Sequence, residues 1–153
     1  MKSSFTISGL IIFMTLFTAC SGQKPDNIGI TRGKLAPCPS SPNCVISQDG
    51  DKSHSIEPIA YKTSRTKAFN ILEKIIESQE RAVIIDKKDN YLYAEFRTKI
   101  MRFVDDVEFY FPENEQVIHV RSASRLGYSD MGVNRKRVEN IRSLFQGKEL
   151  SNK

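Results

Sequence analysis

The sequence predicts an α+β domain: an antiparallel sheet of about four to five strands with two helices packed on one face. Three observations carry this. Ala68, Ile71, Leu72, Ile75 and Ile76 recur at i, i+3, i+4, i+7 and i+8, the apolar stripe of a helix. Four segments of strand-like character follow, separated by short polar turns. A second stripe, Val138, Ile141, Leu144 and Phe145, marks a closing helix.

Taken in order, residues 55–61 contain Pro58 and suit an edge strand or an extended lead-in to the first helix. Thr63, Ser64 or Thr66 can cap that helix, while Lys67, Glu73, Lys74 and Glu77 take its wetter faces. The apolar run Ala82-Val83-Ile84-Ile85 reads as a strand, and residues 87–90 turn the chain into residues 91–98. There Leu92, Ala94, Phe96 and Thr98 alternate with Tyr93, Glu95 and Arg97. Residues 102–111 alternate again, with Phe103, Asp105, Val107, Phe109 and Phe111 on one face. After the turn 112–115, residues 116–122 return with Ile118 and Val120 opposed to His119 and Arg121. Three hairpin connections imply antiparallel pairing. The face turned from the helices would hold Tyr91, Tyr93, Glu95, Arg97, Glu108, Tyr110, His119 and Arg121, and is expected to be open to solvent or to a partner.

The amino terminus gives an address. A basic start, Met1-Lys2, leads through an apolar run over residues 5–19 to Phe17-Thr18-Ala19-Cys20. The run falls short of the roughly 20 apolar residues of a membrane span. It reads as a secretory signal over 1–19, cleaved before Cys20, whose thiol takes a diacylglyceryl group. The plainer alternative is an ordinary signal peptide with Cys20 there by chance. Two or three acyl chains make a durable anchor where one is marginal. Ser21 rather than Asp follows, which in a Gram-negative cell resembles the sorting signal for the outer membrane facing the periplasm. Residues 20–33 are polar and glycine-bearing and are expected to form the lipidated tether; residues 34–150 make one domain.

Cys38 and Cys44, in Cys-Pro-Ser-Ser-Pro-Asn-Cys, form an even pair in an oxidising compartment and are expected to be bridged. The alternatives are a metal site with His54 and Asp49 or Asp51, or free redox-active thiols. The wider Cys spacing and the missing second pair weigh against structural zinc.

The densest polar stretch, residues 121–137, links the last strand to the last helix. Ser129, Asp130 or Asn134 can cap that helix, and free N–H groups there would suit an oxyanion. Asp105 shares a face with Phe103 and Val107, a poor place for an unpaired carboxylate, so it is expected to meet Arg121 or Arg125. Such a pair would brace the corner, or orient an arginine that clamps an anionic ligand. The candidate ligand-binding residues are therefore Asp105, Arg121, Arg125, Asp130, Asn134 and Arg135. His54 and His119 sit in no nucleophile or metal motif, and the serines lack a G-x-S-x-G context. No catalytic residue, metal ligand or cofactor is assigned. The formal net charge of +5 is mildly basic, and the predicted compartment and lack of a binding motif argue against nucleic acid.

Leu35-Ala36-Pro37-Cys38-Pro39-Ser40-Ser41-Pro42-Asn43-Cys44-Val45, Phe103-Val104-Asp105-Asp106-Val107-Glu108-Phe109 and the stretch 121–137 resemble the DUF1499 family, a domain of unknown function. The resemblance spans about residues 35–145. It implies one compact domain, frequent in exported or membrane-linked bacterial proteins, and carries over no catalytic residue. The functional expectation is a lipid-anchored envelope protein that binds an anionic small molecule or an envelope partner without catalysis. The rivals are a hydrolase or thiol-dependent enzyme using the Arg/Ser/Asp cluster or the Cys pair, and a purely structural envelope lipoprotein.

Overall fold

The computed structural model describes residues 22–151, so the expected signal segment over 1–19 and the expected lipidation of Cys20 lie outside the described residues. Among the described residues there are eight strands and two helices: β1 (Ile30–Thr31), β2 (Lys34–Leu35), β3 (Cys44–Ile46), β4 (Ile59–Ala60), α1 (Arg65–Glu77), β5 (Ala82–Lys88), β6 (Tyr91–Arg97), β7 (Val104–Tyr110), β8 (Val117–Ser124) and α2 (Val133–Ser151). The fold is α+β, with more strands than the periodicity showed. Strands β5 to β8 form the expected antiparallel meander. The outer edge of β8 is shared by β3, opposite Arg121 to Ala123, and β4, opposite Val117 and Ile118. Between them the Ser47 N–H donates to the Val120 carbonyl at 2.9 Å.

Helix α1 starts where Ser64 accepts the Lys67 N–H, and its apolar stripe, with Phe69 added, is buried. Helix α2 differs from expectation at two points. Leu144 is 39% exposed, while the buried stripe runs Asn134, Val138, Ile141 and Phe145. The position one turn before Val138 is thus taken by a buried amide rather than an apolar side chain. Both helices lie over the sheet face made by Leu92, Ala94, Val107, Phe109, Ile118 and Val120, and this is the main core. Burying each large apolar side chain there contributes about 1.5–3 kcal/mol.

The opposite face is not open. Residues 22–37 run across it as a strap, turned into the small β1–β2 hairpin at Arg32 and Gly33, both with positive φ (53° and 76°). Leu35, Ile28, Ile30 and Cys38 pack onto Ile46, Tyr91, Tyr93 and Tyr110. Tyr91 and Tyr93 are left 2% and 0% exposed, because the strap replaces the water expected over them. The stretch read as a tether is therefore laid on the domain from Gly22 onward. Isolated apolar residues among glycines give no period, which is why composition alone made the strap look polar. The strap ends at a disulfide between Cys38 and Cys44, which ties it to the start of β3. It leaves β5 uncovered, where Val83 and Ile85 are exposed. A bulge between Ile84 and Asp86 and the charges of Asp86, Lys87 and Lys88 guard that free edge.

Candidate functional site

The six candidate residues separate onto both faces of the sheet. The β7–β8 register sets Asp105 opposite Ser124, Val107 opposite Ser122, Asp106 opposite Ala123 and Glu108 opposite Arg121. Directly paired residues share a face. Asp105 therefore points to the helices with Ser122 and Ser124, while Asp106 and Glu108 point to the strap with Arg121.

On the strap face, Glu108 is fully buried and forms an ion pair with Arg121 at 3.2 Å. Its Oε1 also accepts the Tyr91 hydroxyl at 2.7 Å and the Gly29 N–H at 2.7 Å. One strap amide thus closes a buried ion pair. The Arg121 Nε, itself buried, finds no acceptor among the described residues. Alongside, Arg125 grips both oxygens of Asp106, Nε donating to Oδ2 at 2.9 Å and to Oδ1 at 3.1 Å and Nη2 to Oδ1 at 2.7 Å. Arg125 also pairs with Glu95 and donates to the Tyr93 hydroxyl, which in turn donates to Asp106 at 2.6 Å. Burial pushes both tyrosines well above their ordinary value, helped for Tyr91 by Glu108 and for Tyr93 by Asp106. Burial would raise Glu95 as well, but Arg125 and then Arg97 outweigh it and hold the carboxyl below its usual range. The bonds to Asp106 hold the Arg125 guanidinium charged. Lys24 of the strap sits 4.8 Å over the Tyr93 ring.

On the helix face, the partner of Asp105 is neither Arg121 nor Arg125. It is Arg137, from the second turn of α2. Arg137 also donates from Nη1 to Ser122 Oγ at 3.0 Å and to Asn134 Oδ1 at 2.6 Å, and lies 4.9 Å over the Phe96 ring. Asn134 accepts the Ser122 hydroxyl at 2.6 Å and donates to the Asn43 carbonyl at 2.9 Å. Asn43 reaches the Gly127 carbonyl at 2.7 Å, so the corner joins β3, β7, β8, α2 and the loop before α2. Asp130 caps α2, its two oxygens accepting the N–H groups of Gly132 and Asn134 at 2.9 and 2.7 Å. Arg135 lies apart and donates to the carbonyls of Ser55 and Ser53 at 2.8 and 3.1 Å.

The structure thus joins Asp105 to Asn134 through Arg137, sets Asp130 at the helix cap, and puts Arg121 and Arg125 across the sheet. Sequence reasoning missed Arg137, Asn43 and the pairing roles of Asp106 and Glu108. A signal existed for Arg137: it lies three residues after Asn134, so it shares a helix face with any cap-proximal residue turned to the sheet.

The histidines do not complete a nucleophile set. The Nδ1 of His54 meets Asp51 at 2.9 Å and Nε2 meets the Ser41 carbonyl at 3.2 Å. Two acceptors on the two ring nitrogens favour the imidazolium, and the bond to Asp51 raises the His54 pKa. The ring has no free nitrogen to take a proton from Ser53, whose hydroxyl lies on the Nδ1 side at 3.1 Å. His119 touches the Ser47 hydroxyl at 3.2 Å, and burial lowers its pKa. Ser122 is fully buried. With the two thiols bridged, the sulfur-containing metal set drawn from Cys38, Cys44 and His54 is gone, and no group of three or more metal-ligating side chains occurs among the described residues.

The family model described as a protein of unknown function, DUF1499, matches residues 34–145. The chain belongs to the DUF1499 family. No curated protein and no solved structure matches it. The matched span takes in the disulfide, both charged layers of the sheet and most of α2. The strap residues 22–33, including the Gly29 that closes the Glu108 pair, precede the matched part of the DUF1499 domain.

Proposed function

We propose that this DUF1499 protein is a lipid-anchored envelope protein whose domain is a non-catalytic binding module, with its buried arginines serving as braces. The observation that carries the reading is the occupancy of those arginines: Arg121, Arg125 and Arg137 each face a carboxylate of the same domain. An anionic ligand at any of them would have to displace a buried Glu or Asp, leaving a charge uncompensated at a cost of several kcal/mol. The recognition surface therefore lies on the outside of the domain, and an envelope partner suits it better than a small anion at the arginine cluster.

Thermal unfolding in rising orthophosphate tests the bracing role. The expected result is a wild-type Tm that phosphate leaves unchanged and a lower Tm for Arg125→Ala at every phosphate concentration. A saturable phosphate-induced rise in Tm that Arg125→Ala abolishes would return these arginines to a ligand site. Incorporation of labelled palmitate into wild type but not Cys20→Ser tests the anchor.

A further inference from the structure

One end of the sheet gathers features that the folded core does not use. The register puts the β6–β7 turn, the β8–α2 loop and the start of β5 at the same end, since Arg97 pairs with Val104, Asp105 with Ser124 and Ala82 with Phe96. Large apolar side chains are bared there: Met131 is 88%, Ile100 87%, Tyr128 77% and Met101 65% exposed. Three of these are the three most exposed large apolar residues among the described ones. Single exposed apolar residues are ordinary; a cluster on two adjoining loops is not. Met131 moreover holds a left-handed backbone at φ 53°, a conformation that suits Gly or Asn better than a bulky side chain with nothing to bury against.

The same end is basic. Arg81, Arg97, Lys99 and Arg102 line a cleft of about 290 Å³ beside the β6–β7 turn. Arg81 and Arg97 have partners in Glu80 and Glu95, whereas no carboxylate lies in ion-pair reach of Lys99 or Arg102 among the described residues. Gly22, the first described residue, also lies here. A Cβ placed on Gly22 would lie 2.9 Å from the Arg125 Cβ and 3.2 Å from the Leu126 Cγ, at the root of the β8–α2 loop. From Gly22 back to Cys20 the backbone spans at most about 7 Å. A headgroup zone is itself roughly 5–8 Å deep.

We propose that this end of the sheet rests on the anionic leaflet holding the anchor, with Ile100, Met101, Tyr128 and Met131 in the interfacial zone and Lys99 and Arg102 against lipid phosphates. The proposal builds on the reading of Cys20 as lipidated. With the strap folded down, no slack remains to hold the domain away, so bared side chains at this end meet headgroups. Tyr at the water–lipid boundary and cations beside apolar side chains are what such a boundary favours. Helix α2 then runs away from the bilayer, since it starts at this end and its 19 residues span about 28 Å.

The chain has no Trp, so single-Trp variants give an unmixed signal. Ile100→Trp, Met131→Trp and Leu150→Trp, the last near the far end of α2, are made in the full chain and purified from membranes. They are reconstituted in phosphatidylethanolamine–phosphatidylglycerol vesicles carrying brominated lipid. Intact mass first reports whether Cys20 is acylated. On an acylated chain, the expected result is blue-shifted, bromine-quenched emission for Ile100→Trp and Met131→Trp and water-like emission for Leu150→Trp. Water-like emission from all three overturns the docking while leaving the anchor standing. If the mass shows no acyl group, the anchor reading fails and the same chains are added to the vesicles from solution. Quenching at residues 100 and 131 then still supports the docking face, and its absence overturns it. Lys99→Gln and Arg102→Gln should each weaken binding of the unacylated Cys20→Ser chain to these vesicles by roughly fivefold. Unchanged binding would remove the cations from the docking face.

Discussion

The two faces of the sheet are closed by different means. The helix face is closed by α1 and α2 through apolar burial, with one polar corner around Asp105 and Arg137. The strap face is closed by some sixteen residues of little regular structure, over two buried ion pairs and two buried tyrosines. Apolar contacts tolerate an imperfect cover, since each lost contact costs only its own area. Buried charges do not, because water or a missing partner changes their energy by several kcal/mol. The strap's purpose in the fold is thus to complete a charged layer that the sheet alone would leave half-wet.

The largest effects should come from truncating one side chain on each face and then asking which loss can be repaired. Phe109→Ala should destabilise by about 3–5 kcal/mol in urea unfolding, through a cavity in the helix-side core. Glu108→Ala should cost a similar amount, about 3–5 kcal/mol, by stranding Arg121. The difference lies in rescue: Glu108→Leu combined with Arg121→Met, in a Tyr91→Phe background that removes the stranded hydroxyl, should recover part of the strap-face loss, the Gly29 N–H still lacking its acceptor. Failure of the apolar pair to rescue would mean that the charges do more than brace.

Next is the covalent tie of the strap. Cys38→Ser with Cys44→Ser opens a short loop, with a sequence separation of 6 between the two cysteines. The expected loss is about 2.4 kcal/mol on the chain-entropy model, less what Pro39 and Pro42 already restrict. Urea unfolding of wild type with and without reductant checks it independently. On the helix side, Asp130→Ala removes the α2 cap and should cost about 1 kcal/mol, with Asp130→Asn, which keeps one of the two accepting oxygens, losing less.

The smallest effect is the pH dependence set by His54, whose ring binds the loop before β4 to the Cys38–Cys44 segment through Asp51 and Ser41. Its folded pKa is raised above 6.5, so its contribution is fully present below pH 6.5 and is lost as pH rises through the folded value. His119 has the opposite sign: burial lowers its pKa, so its contribution is present above 6.5 and is lost as pH falls through the folded value. The stability gap between wild type and His54→Gln should therefore shrink as pH is raised from below 6.5 into the alkaline range. A gap that widens with pH would contradict the imidazolium.

Much of this was legible in the sequence, for identifiable reasons. Helix α1 and strands β6 to β8 follow from apolar period, because each spans enough residues for a period to show, while β5 follows from its apolar run and the meander from the short turns between the strands. Asp105 was placed correctly on the helix face, yet its partner was not. The β7–β8 register pairs odd-numbered residues of β7 with even-numbered residues of β8, which sends Arg121 to the other side. Alternation along β8 itself sets Arg121 with His119 on the face turned from the helices, so an Asp105–Arg121 pair ran against the strand pattern; the partner, Arg137, lies on α2, where strand alternation says nothing. The strap was missed because Ile28, Ile30 and Leu35 are too few to form a pattern, and only the tyrosines beneath give them something to cover. Strand β3 escaped for a related reason: three residues directly after the Cys-Pro loop present no alternation.

Closure of the strap over the Glu108–Arg121 pair is the claim on which the rest turns, and the amide exchange of Gly29 reads it directly. Its N–H donates to a carboxylate 79 residues away in sequence, in a segment with no helix or long strand to protect it otherwise. The expected result is slow exchange of the Gly29 N–H that becomes fast in Glu108→Ala, which removes the accepting oxygen. Free-peptide exchange at Gly29 while the amides of β6 to β8 stay protected would show the strap lifted from the sheet, contradicting the account.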